Sequence, residues 1–258
     1  MKNKSLKLAI ETALIAGDAI LDIYKNEDFK ITLKDDKSPF TKADFVSNQI
    51  IGSSLKNTRI PILSEEEKQI SFKIRKEWKK FWLIDPIDGT KEFIKKNDEF
   101  TVNIALIEDK SPILGVVYAP AKNIIYFSSR GEGAFKSDVD LNYSNKFDYV
   151  IANKVKLPIE KINQDYTVVV SRSHLSQKTR DFINQLKDKH QKLKLIPLGS
   201  SVKLCLVAEG TANCYARFAP LMEWDIAAGV SLLCETGKLS YSKIEFNTEK
   251  LVTEISNF

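Results

Sequence analysis

The stretch Phe81-Trp82-Leu83-Ile84-Asp85-Pro86-Ile87-Asp88-Gly89-Thr90-Lys91-Glu92-Phe93 runs an apolar strand into two carboxylates three residues apart, then a glycine and a hydroxyl. Pro86 fixes φ and Gly89 permits a sharp bend, so the Asp85 and Asp88 side chains can converge while the Ile87 carbonyl turns toward the same point. Oxygen donors of this kind suit a hard cation, magnesium or manganese. The N–H groups of Gly89 and Thr90 would open the helix that follows, which makes them donors for a phosphate. Asp-Pro and Asp-Gly pairs are also ordinary turn formers, and strand-end carboxylates are often simply hydrated. A metal site therefore needs carboxylates from elsewhere in the chain.

Upstream, Ile60-Pro61-Ile62-Leu63-Ser64-Glu65-Glu66-Glu67 is a short apolar strand ending in three acids. An acid triplet is usually a solvated loop, but two short buried strands can lie side by side, which would put Glu65 at the same edge as Asp85 and Asp88. Thr41-Lys42-Ala43-Asp44 opens a helix in which Phe45, Asn48, Ile51 and Leu55 are spaced for a core face, and Asp44 falls where a helix cap would be. From Leu6 to Tyr24 the apolar residues recur at three and four, predicting a long amphipathic helix. Phe29 to Lys34 alternates like a half-buried strand, and Asp35 to Pro39 reads as a polar turn.

Downstream, apolar runs at 100–107, 113–118, 124–128 and 133–136 predict an antiparallel meander. The pattern fades from about Ser137 to Pro158, which places a boundary there between an N-terminal α+β lobe, 1–145, and a C-terminal α/β lobe, 146–258. The second lobe alternates strand and helix: Thr167–Val170, Thr179–His190, Leu193–Leu198, a helix opened by Gly199-Ser200-Ser201 and closed by Gly210, the strand Ala212–Arg217, and an apolar helix beginning near Asp225. Asp225 fits an N-cap as well as a ligand. An acid inside so apolar a segment asks for a partner.

The 258 residues are 43% hydrophobic, which suits a folded protein with a sizeable core. A net charge of +5 from 39 basic and 34 acidic residues, with the lysines scattered, gives no footprint for nucleic acid but accommodates a small anion. Cys205, Cys214 and Cys234 form no CxxC pair, and His174 and His190 lie far apart, which argues against structural zinc and a disulfide scaffold and fits a reducing cytoplasm. The basic start is followed by a stretch broken by Glu11, Asp18 and Asp22, so neither a signal peptide nor a transmembrane segment is expected.

Asp85-Pro86-Ile87-Asp88-Gly89-Thr90, Ser64-Glu65-Glu66, Thr41-Lys42-Ala43-Asp44 and Glu223-Trp224-Asp225-Ile226-Ala227-Ala228-Gly229 together resemble the inositol monophosphatase superfamily, in order and spacing, over roughly residues 5 to 237. Asp85 to Phe93 and Gly199 to Gly210 most resemble its 3'(2'),5'-bisphosphate nucleotidase branch. The resemblance implies a layered α-β-α-β-α sandwich and a magnesium-dependent, lithium-sensitive phosphatase with two or three ions, for which manganese can substitute. Glu65, Asp85 and the Ile87 carbonyl would hold the first ion; Asp85, Asp88 and Asp225 would hold the second. Thr90, bonded to Asp44, would orient and deprotonate the attacking water with help from Glu65, while the Gly89 and Thr90 amides hold the phosphate. His174, Ser200, Ser201, Lys203, Arg217 and Asp225 would meet the rest of the substrate. Arg217 stands where inositol-cleaving relatives tend to carry an acid, and a guanidinium suits a second phosphate; solvated faces and a locally packed histidine are the ordinary alternatives for Lys203, Arg217 and His174. The implied substrate is adenosine 3',5'-bisphosphate, with its 5'-phosphosulfate analogue a second, in sulfur metabolism, and the implied assembly a monomer or homodimer. An inositol or sugar monophosphatase and a non-catalytic nucleotide sensor are the competing functions. The tail from Leu239 to Phe258 matches weakly, which leaves the last strand open.

Overall fold

The computed structural model describes residues 3–26, 31–33, 39–159, 165–173, 175–219, 221–238, 244–249 and 252–253. His174 lies outside them. The elements in order are α1 (Lys4–Lys25), β1 (Ile31–Leu33), β2 (Pro39–Thr41), α2 (Lys42–Lys56), β3 (Ile62–Ser64), α3 (Phe72–Arg75), β4 (Lys80–Asp88), α4 (Thr90–Ile94), β5 (Thr101–Glu108), β6 (Ser111–Ala119), β7 (Ile124–Ser129), β8 (Gly133–Asp138), α5 (Lys146–Asn153) and β9 (Val155–Lys156). Then come β10 (Tyr166–Ser171), α6 (Gln177–Lys189), β11 (Leu193–Leu198), α7 (Val202–Glu209), β12 (Cys214–Ala216), β13 (Leu221–Met222), α8 (Glu223–Thr236) and β14 (Val252–Thr253).

Among the described residues a seven-stranded sheet runs in the order β3-β4-β5-β6-β7-β8-β9, with β3 parallel to β4 and every later pair antiparallel. The run Phe81-Trp82-Leu83-Ile84 is continuously apolar because both faces of β4 are covered. Phe81 and Leu83 pack with residues of α7 and α8, including Leu204, Ile226 and Val230. Trp82 and Ile84 point the other way, into a core with Ile10, Ala13 and Ile20 of α1 and Ile51 and Leu55 of α2. The parallel three-stranded sheet β11-β10-β12 repeats this: Val169 and Tyr215 join the α7/α8 core, while Val168, Val170, Cys214 and Ala216 pack on Ile183 and Leu186 of α6. The layers are helix, sheet, helix, sheet, helix, as the α-β-α-β-α expectation holds.

The meander and the side-by-side placement of β3 and β4 match the sequence reading. Three details differ. Pro39, the last residue of the expected polar turn, begins β2, which pairs with β1. Residues 146–153, read as part of a fading boundary, form α5 behind an Asn145 cap, and the seven-stranded sheet takes its last strand from beyond it. Phe45 is 54% exposed, not core; the buried face of α2 is Asp44, Ser47, Asn48, Ile51 and Leu55, because Asp44 is turned inward. No described helix is long and apolar enough to cross a membrane.

Helix α8 lies so close to the sheet that a Cβ on Gly115 of β6 would overlap the Ala228 carbonyl and approach Ser231 Cβ to 2.8 Å. Backbone on both sides leaves little room to yield, so Gly115→Ala is expected to destabilise the protein by about 1–3 kcal/mol. Thermal unfolding checks this; an unchanged midpoint would contradict the packing.

Candidate metal centre and substrate pocket

Parallel pairing of β3 with β4, Ser64 opposite Ile84, brings Glu65 beside Asp85, and the Glu65 N–H donates to the Ile84 carbonyl at 3.1 Å. Beyond Asp85, which pairs with Asn103, the next partners are Asp88 and Thr101, so β4 carries an extra residue and bulges at Pro86 and Ile87. The Ser47 hydroxyl donates to the freed Pro86 carbonyl at 2.9 Å, and the Ile87 N–H donates to Asp85 Oδ1 at 3.1 Å. Gly89 then adopts φ 93°, a left-handed conformation that a side chain would strain, and α4 begins.

Glu65, Asp85 and Asp225 each present a carboxylate oxygen within 4.8 Å of the others. Asp225 reaches the group from the first turn of α8, where its Oδ2 also accepts the Met222 N–H at 3.1 Å. The cap and the cluster are served by one carboxylate. Asp88 stands outside that trio but lines the same pocket, its Oδ2 2.6 Å from Ser201 Oγ. Burial, and then the charges of Glu65, Asp88 and Asp225, push the Asp85 carboxyl well above its ordinary range. Asp225 is raised in the same way, by burial and then by Asp88 and Glu65. Asp88 is also raised by burial, though Lys203 and the Ser201 hydroxyl oppose it. Like charges held together at a buried strand end require a counter-charge, and a set of oxygen donors only fits a hard divalent cation.

Asp44 is the third residue of α2, with Thr41 as the N-cap. Its Oδ2 accepts the Thr41 N–H at 2.7 Å and hydroxyl at 2.6 Å, leaving Oδ1 3.4 Å from Thr90 Oγ1. The Thr90 hydroxyl lies 3.3 Å from the Ile87 carbonyl as well. Capping and the tie to Thr90 thus use different oxygens of one buried side chain.

The pocket continues from these residues to Ser200, Ser201, Lys203 and Arg217. The Ser200 hydroxyl is buried and has no hydrogen-bond partner among the described residues, whereas Ser201 is committed: its Oγ sits 2.6 Å from both Asp88 Oδ2 and the Asp225 carbonyl and accepts Asn103 Nδ2 at 2.8 Å. The Lys203 ammonium donates to the Ser200 carbonyl and lies 5.4 Å from the Tyr215 ring centroid. Burial lowers its pKa to about 8, against the pull of Asp88. Arg217 is half-buried and hydrogen-bonds to Tyr215. Ser47, Asn103, Glu99 and Arg172 also shape the site and no local motif marks them, while Glu92 lies within the Asp85-to-Phe93 motif without a role assigned to it.

The sequence profile of the inositol monophosphatase family matches residues 1–243. The chain belongs to the inositol monophosphatase family. Within this family it is similar to the 3'(2'),5'-bisphosphate nucleotidase CysQ of Salmonella typhimurium, 39% identical over 235 residues, 90% of this chain and 88% of the relative. The CysQ nucleotidase of Buchnera aphidicola is 40% identical over 237 residues, 91% of this chain and 83% of that one. The crystal structure of CysQ from Bacteroides thetaiotaomicron superposes with a TM-score of 0.87 at 40% identity, covering 97% of this chain and 95% of that chain. The suhB protein of Bartonella henselae, at 22% identity and a TM-score of 0.71 over 91% of this chain and 86% of that one, shares the fold. Inositol monophosphatase family enzymes are generally metal-dependent, and the acidic cluster is suited to holding a metal.

Because the folded state raises the Asp85 carboxyl above its unfolded value, this group favours folding least when ionised: its contribution to stability declines as pH rises above about 4. In chelator the melting temperature of the parent should therefore fall relative to Asp85→Asn as pH rises above about 4. A divalent cation should stabilise the parent and not the variant. Parallel melting curves for the two proteins in chelator would contradict the repulsion.

Proposed function

We propose that this chain hydrolyses the 3'-phosphate of adenosine 3',5'-bisphosphate, giving AMP and phosphate, with the 5'-phosphosulfate analogue as a second substrate in sulfur metabolism. The observation that carries the reading is that one pocket is lined both by carboxylates, Glu65, Asp88 and Asp225, and by two basic side chains, Lys203 and Arg217. A substrate with two phosphates can use both sets, one phosphate on cations held by the carboxylates and the other on the ammonium and guanidinium. The similarity to nucleotidases named CysQ supports it. Buried, unpaired thiols at Cys205 and Cys214 suit a cytoplasmic setting.

Glu65, Asp85 and the Ile87 carbonyl would hold one magnesium ion, and Asp85, Asp88 and Asp225 a second, with manganese able to substitute. Bound cations supply acidification of water and neutralisation of charge on the phosphoryl and leaving oxygens. Thr90 Oγ1, between Asp44 and the Ile87 carbonyl, orients the attacking water and passes its proton toward Asp44, with Glu65 assisting. The N–H groups of Gly89 and Thr90 face the phosphate at the start of α4. Asp44 is fixed in turn by its two bonds from Thr41, so the proton acceptor is held before substrate arrives. Beside Gly89, the unsatisfied Ser200 hydroxyl is a donor for the substrate, while Ser201 steadies Asp88 and Asp225.

Asp85→Asn should reduce kcat at least about a thousandfold, since one ligand common to both ions is lost; turnover near the parental rate would remove the metal assignment. Arg217→Glu should lower kcat/KM for the bisphosphate about a hundredfold, the loss of a charged contact of roughly 2–3 kcal/mol, and leave inositol 1-phosphate much less affected. Equal losses would point to a sugar-phosphate substrate. With Lys203 titrating at about 8, it is charged below that pH and neutral above, so KM for the bisphosphate should rise at alkaline pH in the parent and stay level in Lys203→Met. Superimposable KM–pH profiles would exclude an anion-binding role for this lysine.

A further inference from the structure

The two loops that help line the pocket, 171–173 after β10 and 199–201 after β11, are held by the segment that follows the metal turn. Glu99, just before β5, is buried and takes Arg172 in a two-pronged bond, Nε to Oε2 at 2.8 Å and Nη2 to Oε1 at 2.6 Å. Its Oε2 also accepts the Gly199 N–H at 2.8 Å. Arg172 fastens the loops to each other: Nη2 donates to the Pro197 carbonyl at 2.8 Å, and its N–H to the Leu198 carbonyl at 3.0 Å. Glu92 of α4 adds a second tie, accepting the Ser173 hydroxyl at 2.7 Å. Gly199 packs against the same residue, so that a Cβ there would lie 2.5 Å from Glu92 Cγ.

A surface ion pair with this much solvent on one partner would ordinarily do little, for the Arg172 side chain is 44% exposed. The Glu99 side chain, however, is 9% exposed and both its oxygens are used. Burial pushes its carboxyl up, yet the Arg172 and Gly199 donors more than offset this and hold it below the usual range. Planar, doubly bonded Arg–carboxylate pairs fix orientation as well as distance.

We propose that Glu99 and Arg172 form a positioning latch that sets the 171–173 and 199–201 loops against the Asp88-Gly89-Thr90 turn, and so fixes the spacing between the hydrolysed phosphate and the rest of the substrate. The latch deepens the nucleotidase reading and rests on it for the choice of substrate. Neither residue touches the reacting atoms. A small monophosphate held at the metal end meets these loops only where Ser201 touches Asp88 and the Asp225 carbonyl, whereas a nucleotide bisphosphate depends on the whole spacing.

The test compares Glu99→Gln, Arg172→Gln and Arg172→Lys with the parent on adenosine 3',5'-bisphosphate and 4-nitrophenyl phosphate, and follows amide hydrogen exchange of the folded proteins. The two glutamine variants should raise KM for the bisphosphate about tenfold, as loss of a charge-assisted bond implies, with kcat and 4-nitrophenyl phosphate hydrolysis each within about twofold of the parent. Arg172→Lys, keeping the charge without the fork, should recover part of the loss. Exchange at residues 171–173 and 199–201 should quicken about tenfold while residues 85–90 keep their protection. Equal losses on both substrates, or unchanged exchange in the two loops, would overturn the latch. If the parent shows no preference for the bisphosphate, the nucleotidase reading fails on its own, and the exchange data still decide whether the latch exists.

Discussion

Everything else in this structure depends on holding Glu65, Asp85 and Asp225 within 4.8 Å of one another at the end of β3 and β4, with Asp88 beside them. Mutual repulsion and burial both work against that arrangement. It persists because each carboxylate is attached to an element whose position the core decides. Trp82 and Ile84 are wedged on one side of the sheet and Phe81 and Leu83 on the other, so β4 cannot shift by a residue without exchanging the side chains fitted to two different cores. Asp225 rides on α8, which is pressed against Gly115 too closely to slide. The site is a local cost carried by two large cores, and a divalent cation bound among these carboxylates would offset it.

Several residues serve structure and chemistry together. Asp44 caps α2 with one oxygen and faces Thr90 with the other; Asp225 accepts a backbone N–H in the first turn of α8 while joining the acidic trio. Ser201 links Asp88 to the Asp225 main chain and receives Asn103 from β5. Such double use makes the metal end rigid. The α8 start is further tied to the chain's end, since the Glu223 carboxylate accepts the Asn247 and Thr248 N–H groups and Asn247 bonds Arg75. The tail, weak in resemblance, therefore braces the helix that carries Asp225.

The sequence was most legible where chemistry and backbone geometry coincide. Asp85-Pro86-Ile87-Asp88-Gly89 announced a bend with converging oxygens, and the bulge at Pro86 and the positive φ of Gly89 produce it. The continuous apolar run before it marked a strand covered on both faces. Asn48, Ile51 and Leu55 are buried as their helical spacing predicts, while Phe45 at the edge of that face is exposed because Asp44 takes the inward place beside it. Helix α5 escaped because polar residues flank a short apolar set, Phe147, Val150 and Ile151. The Glu99–Arg172 tie joins residues 73 positions apart, and nothing in either neighbourhood announces the other. Motifs carry the metal ligands and, through Gly199 to Gly210, Ser200, Ser201 and Lys203; the ties that hold the pocket loops are set by tertiary contact.

The central claim is that the carboxylates at the β3/β4 strand ends hold the cations that act on the phosphate. Anomalous diffraction from crystals of the protein soaked in manganese tests it most directly. The account predicts peaks coordinated by Glu65, Asp85 and Asp225, with a ligand role for Asp88, and their loss in Asp85→Asn. Manganese bound elsewhere in crystals of an active enzyme, with this cluster empty, would contradict it.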